Sequence, residues 1–249
     1  MFHPTAARIS QVASDSRASA ADLAKAIERD PLLSARLLKL SNGPRYGGRR
    51  QVSNLKDAIT VLGFRTTRDL AIAMYIGGKA HNAGPEAQEI WRHSLRVGAG
   101  MRLIARYVRG CDASQAMVAG LLHDVGALVM CILDPAYASM AGRFADGSPQ
   151  VMQAERMIFG VTHDQLGAAL LRRWELPECF VLVAGGHHND HESPMNLVAQ
   201  LAELMAEGRL DGLAEYAANE ATQKLKLTER QLEITLEVLD EEAADIGKL

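Results

Sequence analysis

The sequence predicts an all-α protein: a multi-helix bundle in which an N-terminal helical subdomain packs on a histidine-rich helical core. Two observations predict this class. Period-two apolar alternation and β-branched runs bounded by turns are nearly absent, and helix start and stop signals recur along the whole chain. A third observation fixes the kind of core. Hydrophobic residues make up 48% of the 249 but aromatics only 5%, so the interior is aliphatic, built from Leu, Ala, Val, Ile and Met.

The elements follow in order. An Ala-rich helix near 19–29 ends at Asp30-Pro31, and a second runs to about Ser41 and stops at Asn42-Gly43-Pro44. Ser53 is placed to cap a short helix that ends at Gly63, and Leu70 to Ile76 belongs to an apolar helix closed by Gly77-Gly78. His81-Asn82-Ala83-Gly84-Pro85 reads as a connector, which sets the first boundary. The expected division is therefore 1–84 for the N-terminal subdomain, 85–207 for the core and 208–249 for a C-terminal helical extension. A long helix covers roughly 86–109. Asp112-Ala113-Ser114-Gln115 has the capping-box pattern and opens a helix that continues to Asp134-Pro135. The loop Asp146-Gly147-Ser148-Pro149 leads into a helix that stops at Gly160. Thr162-His163-Asp164-Gln165 is a second capping box, and its helix ends near Trp174, before Leu176-Pro177. A further helix leads into His187-His188, and a polar loop runs from Asn189 to Pro194. Helices follow near 195–207 and 213–224. Thr228-Glu229-Arg230-Gln231 caps a last amphipathic helix with Leu232, Leu236 and Leu239 inward and acids outward.

Charge is unevenly spread. The net charge is −3, but residues 1–110 carry a balance of +10 and residues 111–249 one of −13. Complementarity between the halves, or with a protein partner, is the first reading of such a split. Nucleic acid is the weaker one, since no aromatic-rich basic strand offers a platform for stacked bases. Arg45, Arg49 and Arg50 around Tyr46 are placed to grip a phosphate or an acidic partner, and the plainer reading is a solvated basic loop. Cys111, Cys131 and Cys179 are odd in number and without a Cys-x-x-Cys, which excludes a disulfide framework and a zinc ribbon. Met1-Phe2-His3-Pro4 lacks the plan of a signal peptide. A cytoplasmic protein without membrane insertion is expected.

The functional question sits at Gly120-Leu121-Leu122-His123-Asp124-Val125-Gly126. From Ala116 to Leu133 every residue is apolar or glycine except His123 and Asp124. A carboxylate in such a run must be paired, hydrogen-bonded or metal-bound, or it loses its charge. That same pair argues against a membrane span for the stretch. His93, His163, His187 and His188 lie at helix or helix-end positions and can converge on the pair in a bundle. Imidazole nitrogens with a carboxylate and no thiolate suit iron, manganese, zinc or nickel. One or two such ions lower the pKa of water for attack on a phosphodiester. The plain alternative is a metal-free hydrogen-bond network that fixes helix packing. Spacing alone leaves the two readings even.

An ordered string of motifs across roughly residues 19–205 resembles the HDOD domain, the output-domain relative of the HD and HD-GYP metal-dependent phosphohydrolases. Asp30-Pro31-Leu32-Leu33, Leu37 to Asn42, Leu55 to Gly63 and Trp91-Arg92-His93-Ser94 carry it. So do Ala119 to Gly126, Glu155, Phe159-Gly160, His163, Gly167, Trp174, Leu176-Pro177 and His187-His188. The resemblance implies an HD-like helical core and a bacterial, non-catalytic regulatory or scaffolding module. It further implies protein partners from two-component or cyclic-di-GMP pathways. Departures from the hydrolase pattern fit that expectation. Ala127 stands where the HD-GYP pattern has lysine, and Asn189 to Pro194 replaces the Gly-Tyr-Pro segment. The late acidic ligand of HD hydrolases would fall near Leu201-Ala202-Glu203, where only Glu203 is acidic. His93, His123, Asp124, His163, His187 and His188 nevertheless all remain as candidate ligands. A metal-dependent phosphohydrolase acting on a cyclic dinucleotide or nucleotide is therefore the alternative function. Glu155 is expected to pair with a helix end or an arginine, and Trp174 to anchor the core at a helix stop.

Overall fold

Side-chain caps set the start of many of the helices in the computed structural model. It describes residues 8–12, 15, 17–43, 51–134, 136–137, 149–188, 193–208, 210 and 212–247. No strand occurs among these residues. The expectations for Met1 to Pro4, for Arg45, Tyr46, Arg49 and Arg50, for Asp146 to Ser148 and for Asn189 to Glu192 lie outside them. Contacts divide the chain into two compact units, residues up to Lys79 and residues Ala80–Lys248.

In the first unit, Ser19 and Asp22 form a reciprocal capping box at the start of α1 (Ala20–Ile27). Asp30 accepts from the Leu32 and Leu33 amides at the start of α2 (Pro31–Ser41), with Pro31 at the first helical position. Asn42 ends α2 and grips Val52, accepting from its N–H at 2.8 Å and donating to its carbonyl at 2.7 Å. Asn54, not Ser53, caps α3 (Leu55–Leu62), because its side chain reaches the Asp57 amide at 2.9 Å. After Gly63 the chain enters α4 (Phe64–Ala80). Gly77-Gly78 does not stop this helix. A β-carbon on Gly78 would lie 3.4 Å from an Arg36 guanidinium nitrogen, and that nitrogen donates to the Met74 carbonyl. Packing thus keeps helical two residues that intrinsic propensity disfavours by about 1 kcal/mol each.

The second unit is arranged around α5 (Pro85–Ala105), which buries eleven residues. It stops at Ala105, four residues short of the sequence expectation, in a turn that leads to Gly110. Asp112 then caps α6 (Ala113–Leu122) by accepting from the Gln115 amide. The helix expected to run on to Asp134 is broken at His123-Asp124 and resumes as α7 (Val125–Leu133). The stretch Ala113–Leu133 is long and apolar enough to cross a membrane by composition, yet 83% of its apolar window is buried inside the protein. Next come α8 (Pro149–Phe159), α9 (His163–Arg173), α10 (Glu178–Gly186) and α11 (Pro194–Glu207). Gln165 reaches back to the Thr162 amide at the start of α9, as the capping pattern requires. The region expected as one helix at 213–224 is two, α12 (Leu213–Ala218) and α13 (Glu220–Leu225), separated by Asn219, whose side chain caps the second. The last helix, α14 (Glu229–Gly247), buries Leu232 and Leu239 and keeps Glu237, Asp240 and Glu241 in solvent. Its Glu242 is buried as well and pairs with Arg102 of α5 at 3.7 Å.

Close contacts between small residues set the helix crossings. A β-carbon on Gly120 of α6 would lie 2.7 Å from the Gly98 Cα of α5, and one on Gly100 would lie 3.1 Å from the Ala202 Cβ of α11. Gly126 of α7 meets the backbone of α9 in the same way, and Gly185 of α10 meets Ala168 of α9. Each crossing lies within about two helical turns of a histidine or acid named above, so the packing delivers those groups to one place.

Candidate metal centre

His123 and Asp124 owe their geometry to the helix break. The His123 Nδ1 lies 2.7 Å from the Gly120 carbonyl. In a continuous helix that oxygen would accept from the Asp124 amide four residues on. Asp124 leaves helical geometry at φ −101°, ψ 21°, and so the two side chains are not fixed at the 100° separation of helical neighbours. His187 repeats the arrangement at the end of α10, with its Nδ1 2.9 Å from the Ala184 carbonyl. His163 is held through Nδ1 too, at 2.8 Å from Glu155 Oε1 and 2.9 Å from Oε2. A carbonyl or carboxylate can only accept, so all three rings carry their proton on Nδ1 and turn an unprotonated Nε2 inward when neutral.

Those inward atoms form two adjoining sets. Asp124, His163, His187 and His188 offer ligand atoms within 4.8 Å of one another, and so do His93, His123 and Glu203. Asp124 faces both: Oδ1 lies 3.2 Å from His187 Nε2, and Oδ2 lies 3.3 Å from His123 Nε2. Glu203 Oε1 lies 2.8 Å from His123 Nε2, and Oε2 lies 3.0 Å from His93 Nε2. The structure brings all six candidate residues together and adds Glu203. Position in sequence singled out Glu203 as the only acid in its segment, but only the packing of α11 on α5 places it at the cluster. Tyr137 and Glu155 form a buried layer behind His163, with the tyrosine hydroxyl donating to Glu155 Oε1 at 2.5 Å. Glu155 also accepts the His163 amide at 2.9 Å, so it does pair with a helix end, as expected, and holds the imidazole besides.

Electrostatics bind the cluster tightly. Burial opposes the His123 charge, but Asp124 and Glu203 outweigh it and hold its pKa well above the usual histidine value. Burial acts in the opposite sense on Glu203, and His123 and His93 hold that carboxyl well below its usual range. His93 is raised, as Glu203 outweighs the effect of burial. His188, half-buried beside His187, is pushed down to about 3 and is neutral.

The donor set fits a divalent cation. The buried Nε2 atoms of His123 and His93 face Glu203 at 2.8 and 3.0 Å, and that of His187 faces Asp124 at 3.2 Å. Imidazole nitrogens and carboxylate oxygens gathered in this way are groups that can hold a cation, with outer partners fixing each ring. Imidazole and carboxylate without thiolate match iron, manganese, zinc or nickel.

The family model described as HDOD domain matches residues 1–190. The chain belongs to the HDOD family. Among solved structures, an HDOD domain protein of unknown function from Geobacter sulfurreducens aligns with a TM-score of 0.72 at 22% identity, over 99% of this chain and 91% of that one. The MmoQ response regulator from Methylococcus capsulatus aligns with a TM-score of 0.55 at 28% identity, over 94% and 96%. An uncharacterised protein of Treponema pallidum is 28% identical over 187 residues, or 70% of this chain. The HDOD chain spans about a third of the length of that curated relative, 34%. The match to the HDOD model ends before Glu203, so the carboxylate that completes the second ligand set lies outside the matched residues.

Proposed function

We propose that this chain is a non-catalytic signal-transduction module of bacterial, cytoplasmic origin, a regulatory or scaffolding domain built round a closed divalent-metal centre. Its partners are signalling proteins of a two-component or cyclic-di-GMP pathway, and a nucleotide second messenger is the candidate small ligand. His93, His123, Asp124, His163, His187 and His188 are the metal-holding residues, and with Glu203 they divide into a four-residue set and a three-residue set. The observation that carries the reading is the closure of the first set. Asp124, His163 and His187 side chains are fully buried, and with half-buried His188 they supply four protein ligands, enough to fill a four-coordinate site. Structural sites are closed in this way, while catalytic sites keep a position open. Ala127, buried in the core, offers no cation for a substrate phosphate at the place where the HD-GYP pattern has lysine. The MmoQ relative, named as a response regulator, supports the signalling context.

One observation favours the alternative, a metal-dependent phosphohydrolase of cyclic dinucleotides or nucleotides. The second set has three ligands of its own, and His93 and Glu203 are 18% and 15% exposed, which leaves that side open to a small ligand. An ion bound there would supply Lewis acidity toward a phosphodiester. One experiment separates the readings. Protein loaded with manganese, iron or zinc is assayed against cyclic dinucleotides and nucleotides, with bound metal measured by elemental analysis. Bound metal without turnover is the expected result. Robust turnover that Asp124→Ala abolishes would establish the hydrolase, and a protein that stays empty after loading would rule the hydrolase out and remove the metal from the first reading.

A further inference from the structure

Three histidines of the centre have their Nδ1 atoms held, but by different means. His123 and His187 use backbone carbonyls three residues back in their own helices, partners that no substitution can remove. His163 opens its helix and has no such carbonyl behind it. A side chain from another helix takes that place, Glu155 of α8, whose two oxygens lie 2.8 and 2.9 Å from Nδ1. Glu155 is wholly buried, and so is Tyr137, whose hydroxyl fixes the carboxylate from the other side. Three donors converge on Glu155: the Tyr137 O–H, the His163 amide and the His163 imidazole.

We propose that Glu155, anchored by Tyr137, is a positioning residue that fixes His163 as its Nδ1–H tautomer and aims Nε2 into the four-ligand set. The proposal rests on the metal reading for its purpose but not for its test. Glu155 itself is not a ligand, since it meets the outer edge of the ring. Its role explains why a carboxylate is buried in α8 away from the two ligand sets. It also assigns the contact between His163 Nε2 and His188 Nε2, 2.9 Å apart. With the His163 proton on Nδ1, His188 is the donor and His163 the acceptor across that gap. For both rings to hold a metal, His188 would have to carry its proton on the other ring nitrogen, so that each ring offers a lone pair to the set. Outer-layer carboxylates of this kind raise ligand basicity, and their loss lowers metal affinity by about 10–100-fold.

The substitutions follow from the donor count. In Glu155→Gln the single amide oxygen can accept both the His163 amide and Nδ1–H, while the amide nitrogen donates to a Tyr137 hydroxyl that has turned to accept. Glu155→Leu accepts nothing. The test uses the full chain, labelled with nitrogen-15 and stripped of metal, and reads the His163 ring by long-range proton–nitrogen NMR, with His163→Gln to assign its signals. Zinc affinity is measured in parallel by chelator competition. The wild type and Glu155→Gln are expected to hold the Nδ1–H form, with zinc affinities within about tenfold of each other. Glu155→Leu is expected to lose the preference and to bind zinc about 10–100-fold more weakly. An Nε2–H tautomer in the wild type would overturn the proposal. So would a folded Glu155→Leu protein that melts earlier but keeps the Nδ1–H form and full zinc affinity, because Glu155 would then serve only the start of α9. If Glu155→Leu does not fold, the tautomers of the wild type and Glu155→Gln decide. A wild type that takes up no zinc defeats the metal reading and leaves the tautomer test intact.

Discussion

A β-carbon on Gly126 would stand 1.9 Å from the His163 carbonyl oxygen and 2.8 Å from the Gly167 nitrogen. Both are backbone atoms, so nothing flexible can yield, and α7 would have to lift off α9. Gly126→Ala is expected to cost about 3 kcal/mol, the upper end for overpacking, and to separate Asp124 from His163. Denaturant unfolding and metal affinity should both fall, and a variant that loses neither would refute this account of the crossing. Asp69 shows a different single-residue effect. Burial lifts its carboxyl above the usual value, against the pull of the adjoining Arg68 and of Arg65. A raised carboxyl pKa means that the folded state prefers the protonated form. The associated stability is present below the unfolded pKa, about 4, and is lost as pH rises through the folded pKa. Above that range the ionised group is a net cost. Asp69→Asn should therefore be more stable than the wild type at neutral pH, with the gain fading as pH falls toward 4. A difference that grows on acidification would contradict the sign.

At the scale of elements, two helices end on residues that bear a side chain in the left-handed region, Glu175 at φ 55° after α9 and Lys226 at φ 56° after α13. In both cases the next amide bonds back five residues, Leu176 to Leu171 and Leu227 to Thr222, the six-to-one bond of a Schellman motif. That geometry favours glycine. Glu175→Gly is expected to stabilise the protein by up to about 1 kcal/mol, since the left-handed conformation costs other residues about 1–2 kcal/mol and glycine loses part of the difference to chain entropy. A lower melting temperature would show that the Glu175 side chain contributes more than its backbone costs. The break between α6 and α7 is the opposite case, in which a polar centre overrides local preference. Ala113 to Leu133 holds no proline, and its two glycines, Gly120 and Gly126, stay helical on either side of the break, yet His123 takes the Gly120 carbonyl and the helix divides.

At the scale of the whole molecule, three helices and three helix ends contribute candidate ligands, so the centre ties α5, α6, α7, α9, α10 and α11 together. A metal that binds only the folded state stabilises it by mass action. At a hundred times its dissociation constant, zinc should add about 2.7 kcal/mol, or roughly 5–10 °C in melting temperature. Chelator should reverse the gain, and Asp124→Ala should abolish it. An equal gain in Asp124→Ala would place the bound metal elsewhere.

Much of this was legible in the sequence. Caps such as Asp30, Asp112 and Gln165 act within four residues, and that is why most helix starts follow from sequence alone. His123 and Asp124 stood out because a buried histidine or acid in an apolar run is costly and has to be explained, and the other four candidates followed from their helix positions and the family resemblance. The ends of α4 and α5, the break at His123 and the split at Asn219 were not, for each depends on which partner competes for a backbone group. Tyr137 belongs with these, and Glu203 does in part, since it stood out only as the one acid in its segment. Each acquires its role through packing, Gly100 on Ala202 bringing Glu203 against His93 and His123, and the chain's approach to α8 bringing Tyr137 against Glu155. The sequence by itself determined the helical class and marked a costly polar centre at His123-Asp124, because periodicity, capping and the cost of buried charge are local properties. Only the tertiary structure decided how the ligands divide into two sets, where Asp124 stands between them and which nitrogen of each ring faces inward. Those are matters of distance between helices, and distance is set by packing.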